Sequence, residues 1–177
     1  MILDLQHIDP QRIAAIDSSG AELRYAEISQ LSKHITSLIP TRSLCFLLVE
    51  NNVGGIAWVM SMLDSRQLVP LILNVKTEDT LYQQLLNTYQ PTYICAPNHF
   101  IVQGEVVDCQ YEYTLTKISD TTPTLYGELS HLLPTSGSTG SPKLVRHKYG
   151  NIEAAGLNIS TFFELKESDR PLMVLPL

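Results

Sequence analysis

Nine consecutive residues, Thr135-Ser-Gly-Ser-Thr-Gly-Ser-Pro-Lys143, concentrate more hydrogen-bonding chemistry than any other stretch of the chain. Hydroxyls stand at 135, 136, 138, 139 and 141, with Gly137 and Gly140 between them. Glycine permits φ > 0 and lets a ligand approach the main chain closely. Successive amide N–H groups in such a turn form a concave nest that holds an anion. Pro142 stiffens the exit, and Lys143 adds a positive charge directly after it. Hydroxyls, amides and one terminal lysine together suit a polyphosphate. The stretch is short and lies between apolar segments, Leu132-Leu133 before it and Leu144-Val145 after it, which a solvated linker would not. It fits neither common nucleotide fingerprint. Five positions after Gly137 stands Pro142, so G-x-x-x-x-G-K-[ST] fails, and G-x-G-x-x-G fails as well.

Other reactive residue types do not assemble into a site. His131 has no cysteine close by in sequence and is a weak candidate for a catalytic dyad, and His147 and Lys148 read as the solvated end of a strand. Ser136 follows Thr135 rather than sitting in G-x-S-x-G, so it does not form a hydrolase nucleophile elbow. The cysteines at 45, 95 and 109 lack metal-ligand spacing, and Cys45 and Cys95 fall inside apolar runs that predict buried thiols. No catalytic residue and no metal ligand is nominated.

The loop must be positioned by strands and helices that alternate along the chain. Ile13–Asp17 and Ala21–Tyr25 flank Ser18-Ser19-Gly20 and predict a hairpin. Ile28, Leu31, Ile35, Leu38 and Ile39 recur at the helical period, and Pro40 ends that helix. Ser43–Val49 is a continuous apolar run, as expected of a strand covered on both faces. Asn51 or Asn52 caps a second helix with Ile56, Val59, Met60 and Leu63 on one face. Leu68–Leu73 reads as a strand in which Pro70 implies a start or an edge. Thr77 is the expected cap of a helix that turns Leu81, Leu85 and Leu86 inward and stops at Pro91; Thr92–Ala96 is the next strand. Residues 98–123 break the alternation and predict a side hairpin, its tyrosines packing on a strand face. Asn151 should cap a last helix whose stripe is Ile152, Ala155, Ile159, Phe162 and Phe163; Leu172–Leu177 begins a further strand. Helices are therefore expected near 26–39, 52–65, 78–89 and 151–163. The fold class is α/β, a mainly parallel sheet with flanking helices.

At 177 residues the chain suffices for one ordinary domain. A net charge of −6 without a basic run argues against nucleic acid as a partner. No stretch approaches the roughly 18 apolar residues of a membrane helix, and Met1–His7 lacks a basic signal-peptide region. The expectation is a cytoplasmic protein with no membrane partner.

Thr135–Lys143 closely resembles the phosphate-binding loop of the adenylate-forming ligases, the superfamily of acyl-CoA synthetases, nonribosomal peptide synthetase adenylation domains and luciferases. Leu144 departs from the second glycine usual after that lysine. Residues 22–31 look like the family's Leu-x-Tyr-x-Glu-Leu helix entry, with Arg24 in place of the capping hydroxyl, a loss of about 1 kcal/mol. Residues 43–73 look like its first strand–helix–strand unit, although Arg66 stands where small residues are usual.

The resemblance implies that residues 1–177 are the N-terminal part of an AMP-binding domain of the acyl-CoA synthetase-like fold, incomplete and without the mobile C-terminal domain. It implies ATP and Mg2+ as cofactors, with Thr135, Ser136, Gly137, Ser138, Thr139, Gly140 and Lys143 as the cofactor-binding residues. It further implies a small carboxylic acid as substrate and CoA or an acyl carrier protein as thiol acceptor. After the loop these 177 residues contain no aromatic-Gly-Glu segment for magnesium, no Tyr-x-Thr-Gly-Asp for ribose and no adenylation lysine domain; the Tyr126-Gly127-Glu128 triplet lies before the loop. The chain alone is thus expected to be inactive and to self-associate through the Leu172–Leu177 strand. A non-catalytic nucleotide-binding or scaffold role is the alternative.

Overall fold

The first paired strands, β1 (Ile13–Ile16) and β2 (Glu22–Arg24), form an antiparallel hairpin separate from the main sheet. The computed structural model describes residue 5 and residues 7–135 and 143–173, among which lie nine strands and four helices. Helix α1 (Tyr25–Leu38) follows at once. Its Arg24 cap makes no side-chain capping bond, since a guanidinium has no acceptor to offer. Half of the capping box survives, as the Arg24 N–H donates to Glu27 Oε2 at 2.7 Å.

The remaining strands build one seven-stranded sheet. They are β3 (Ser43–Val49), β4 (Leu68–Asn74), β5 (Tyr93–Pro97), β6 (Glu105–Gln110), β7 (Tyr113–Lys117), β8 (Leu129–Pro134) and β9 (Leu144–Lys148). Their spatial order is β6-β7-β5-β3-β4-β8-β9. The centre, β5-β3-β4-β8, is parallel; β7 and β6 extend it antiparallel on one side, and β9 does so on the other. Central β3 is buried along its whole length. Its side chains alternate between two cores, as the pleat requires. Cys45, Leu47 and Val49 face one cluster, and Leu44, Phe46 and Leu48 face the other. The first cluster is closed by α1 and α2 (Val53–Ser65), the second by α3 (Asp79–Tyr89).

Several local expectations are corrected. Asn52 does cap α2, accepting from Gly55 N at 2.8 Å. The face that α2 buries, however, runs through Val53, Ala57, Trp58, Ser61 and Met62, while Ile56, Val59 and Met60 are only half-buried. A helix this apolar on every side shows no stripe, so the surrounding elements select the buried face. Pro70 lies inside the sheet rather than at an edge, and it is buried between β3 and β8. The β4–β8 ladder has one register pair, Leu71 with Leu132, and so thin a ladder tolerates a residue without an N–H. Thr77 does not cap α3. Its hydroxyl donates back to Asn74 O at 2.6 Å and the cap is Glu78, without a side-chain bond.

The hairpin expected within 98–123 joins the main sheet through β7, which pairs with β5 over five residues. Tyr113 is fully buried there, and its hydroxyl accepts from Glu50 N at 3.0 Å. A tyrosine that packs a strand face and hydrogen-bonds at its tip is structural, as the sequence predicts.

Helix α4 (Tyr149–Phe162) is capped by Lys148, not Asn151, which lies exposed within its first turn. Its expected stripe exists as a pattern but is not covered: Ile159, Phe162 and Phe163 are all exposed. Residues 171–173 carry no strand, and the rest of the expected C-terminal strand lies outside the described residues.

Candidate functional site

Strands β8 and β9 form an antiparallel hairpin whose two ends meet where the hydroxyl- and glycine-rich loop leaves and returns. Pro134 pairs with Leu144 as the last rung. Beyond it the Thr135 N–H donates to the Lys143 carbonyl at 2.9 Å, and the Thr135 hydroxyl donates to the same oxygen at 3.1 Å. Thr135 and Lys143, the first and last residues nominated from the sequence, are thus brought together and close the loop. Ser136, Gly137, Ser138, Thr139 and Gly140 lie outside the described residues. Because its hydroxyl closes the loop, Thr135 is a strut of the site as much as a contact within it.

Lys143 is exposed, and its ammonium has no ion-pair or hydrogen-bond partner among the described residues. Arg146 and Lys148 follow on exposed positions of β9, which carries no carboxylate. In a chain of net charge −6, Lys143 just before this strand and Arg146 and Lys148 on it place three cations within six residues. Lys148 is at the hairpin's far end, with Nζ 5.5 Å from the Tyr126 ring centroid. An exposed ammonium with no partner among the described residues, next to a hydroxyl- and glycine-rich sequence, fits an anion such as a nucleotide's phosphates.

Mid-hairpin, His131 and His147 stand opposite each other with rings stacked at 4.4 Å. Burial, aided by the facing His147, holds the His131 pKa down at about 4, so the ring is neutral at physiological pH. Ser130 is fully buried; its hydroxyl donates to His147 O at 2.9 Å and lies 3.1 Å from His131 Nδ1. A serine that no substrate can reach makes this pair a packing feature of the hairpin rather than a catalytic dyad.

The opposite end of the hairpin is held by residues that sequence reasoning did not nominate. Arg42, between α1 and β3, donates from Nε to Arg66 O at 3.0 Å and from Nη1 to Tyr126 O at 2.9 Å. Its Nη2 donates to Leu129 O, the first residue of β8. Arg66, at φ 58° in the left-handed cap of α2, places its guanidinium 4.2 Å from the centroid of the Tyr149 ring. Tyr149 is 2% exposed and joins β9 to α4. Burial raises the Tyr149 phenol, and the Arg42 and Arg66 guanidiniums beside it pull the other way. One signal was legible: Arg66 occupies a position where the resembled family carries small residues.

Among the described residues no group of three or more His, Cys, Asp or Glu could hold a metal ion, and no helix is long and apolar enough to cross a membrane.

No family model and no curated protein matches this sequence. Solved structures do. O-succinylbenzoate CoA synthetase (MenE) from Bacillus subtilis, in complex with the acyl-adenylate intermediate OSB-AMP, superimposes with a TM-score of 0.74 at 21% identity, over 99% of this chain and 49% of that one. The same enzyme in complex with ATP and magnesium ion gives a TM-score of 0.72 at 19% identity, over 99% and 50%. Apo MatB from Rhodopseudomonas palustris gives 0.73 at 14% identity, over 97% and 39%. The chain spans about half the length of these proteins or less. Its mixed sheet and flanking helices have the fold of the N-terminal domain of adenylate-forming ligases.

Proposed function

We propose that this chain is the phosphate-loop-bearing part of an adenylate-forming ligase. The reaction of the whole enzyme is ATP-dependent activation of a small carboxylic acid as its acyl-adenylate. Transfer to a thiol, that of CoA or of a carrier protein's phosphopantetheine, then follows. One observation carries the reading: a loop closed by Thr135 and Lys143 emerges from a hairpin of a fold shared with an enzyme solved in complex with ATP and magnesium ion.

In the reaction a carboxylate oxygen attacks the α-phosphorus, and the bond to the β,γ-pyrophosphate breaks, so negative charge builds on the leaving group. Bound Mg2+-ATP supplies the electrophilic phosphorus. This chain's own contribution is to hold the far end of the triphosphate. The Lys143 ammonium offers a charge-assisted contact, and Ser136, Ser138, Thr139 and the intervening amides offer neutral donors. Donors of these types, where a site preorganises them, act where charge develops and need no reorganisation during the reaction. Thr135 keeps the loop ends together. After the loop these 177 residues contain no ribose-binding or magnesium-binding motif of the resembled family, which supports pyrophosphate-end binding without turnover for the chain by itself.

Isothermal titration of the purified chain with magnesium pyrophosphate and Mg-ATP tests the reading. Lys143→Ala should weaken binding by about 1.5–3 kcal/mol, the size of a charge-assisted hydrogen bond. Unchanged affinity would reduce Lys143 to a surface charge. ATP–pyrophosphate exchange by the chain should stay at background over a panel of carboxylic acids; measurable exchange would show that it carries a complete site.

A further inference from the structure

The hairpin that presents the loop is weakly laddered to the rest of the sheet. Its connection to β4 has one register pair, Leu71 with Leu132, whereas β3 and β4 pair over seven residues. Strand β9 lies at the sheet's edge and bonds only to β8. Side-chain packing adds to that pair, since Leu129 and Leu132 of β8 are buried in the same core as Leu71 and Leu73 of β4. Two arginines add a constraint at its base. Arg42 spans three carbonyls, Arg66 O on the α2–β4 turn and Tyr126 O and Leu129 O at the start of β8. A rigid planar fork that satisfies three acceptors fixes their relative geometry, which a lysine's single ammonium does not. Arg66 covers the Tyr149 ring at 4.2 Å and thereby seats the end of β9 on the same turn. Tyr149 N–H closes the pair from the other strand by donating to Glu128 O at 3.1 Å.

We propose that Arg42 and Arg66 are positioning residues for the phosphate loop, clamping both strands of the β8–β9 hairpin to the C-terminal end of α2. They touch no nucleotide. They act from the base of the hairpin, five rungs from Thr135 and Lys143. The inference rests on the nucleotide-binding reading of the loop and assigns that site a support on a different element.

Magnesium pyrophosphate titrations of the whole chain test it, with amide hydrogen exchange alongside. Arg66→Ala and Arg42→Ala should each weaken pyrophosphate binding about five- to tenfold, a usual coupling between a remote support and a site. Arg66→Lys, which keeps a cation over the ring, should fall between Arg66→Ala and wild type. Exchange should accelerate at Leu132, Leu133 and Arg146 while β3 and β4 stay protected. Arg24→Ala, on the β1–β2 hairpin, is the comparison for general destabilisation and should bind like wild type. Wild-type affinity in both Arg66→Ala and Arg42→Ala overturns the inference and leaves the nucleotide reading standing. An equal loss in Arg24→Ala also overturns it. A wild-type chain that binds neither pyrophosphate nor Mg-ATP overturns the nucleotide reading, and the inference with it. Arg66→Ala removes no main-chain bond, so it remains readable if Arg42→Ala does not fold.

Discussion

Helices α2 and α4 are nearly equal in length, each contains two glycines, and both are rich in apolar residues. Their surroundings are opposite. Eight of the thirteen residues of α2 are buried, whereas in α4 only Tyr149 is. Trp58 in α2 is fully buried and Phe162 in α4 is 80% exposed. In α2, Gly54 is required: a Cβ there would stand 2.3 Å from Tyr111 O and 2.8 Å from Tyr113 Cε2. In α4 a Cβ on Gly150 or Gly156 would meet nothing within 4 Å. An apolar pattern therefore specifies that a helix forms, and the tertiary neighbours specify whether it carries stability. The same contrast separates the two regions around them. The α1–α2 side of the sheet is a closed core, and the β8–β9–α4 corner, where Thr135 meets Lys143, is open.

The comparison breaks most directly at Trp58. Trp58→Ala empties a fully buried site and leaves Gln110 O without its 3.1 Å partner, so it should cost about 3–5 kcal/mol in urea unfolding. A loss below about 1 kcal/mol would mean that the α2 core is as loose as the α4 corner. Gly54→Ala comes next: the backbone of β7's turn cannot yield to a methyl group, and about 1–3 kcal/mol should be lost to overpacking. A variant as stable as wild type would show that β6–β7 shifts freely against α2.

The corner has its own titration. The His131 pKa lies near 4 in the folded chain against 6.5 when unperturbed. Between those values the unfolded chain binds more protons than the folded one, so stability falls as pH drops from about 6.5 toward 4 and levels off below. Solvent screening at a half-buried ring limits the effect to about 1 kcal/mol. Unfolding free energy measured across that window should slope in wild type and flatten in His131→Phe, which keeps the ring stack without the proton. Equal slopes would place the titration elsewhere. The smallest effect sharpens the comparison from the other side. Gly156→Ala, in an open helix interior, should gain about 0.5–1 kcal/mol through propensity alone. A loss instead would reveal a neighbour on that face of α4 in solution.

The sequence by itself determined the class of fold, the order of strands and helices, and the one stretch with the chemistry of an anion site. Those features are local: a fully apolar run such as Ser43–Val49 or a period such as Ile28, Leu31, Ile35 is written in neighbouring residues. What lay outside local reach was decided by tertiary structure. Pro70 reads as an edge residue because the sequence cannot show how thin the β4–β8 ladder is. Thr77 and Asn151 are good caps by type, yet Glu78 and Lys148 take those places because the preceding turn and strand set where each helix begins. The α4 stripe reads as a core face because amphipathicity records a capacity for burial, not the presence of a neighbour. Arg66 stands out in the sequence only as a large residue where small ones are usual and Arg42 not at all, since the Tyr126 and Leu129 carbonyls become partners of Arg42, and the Tyr149 ring that of Arg66, only when the sheet folds.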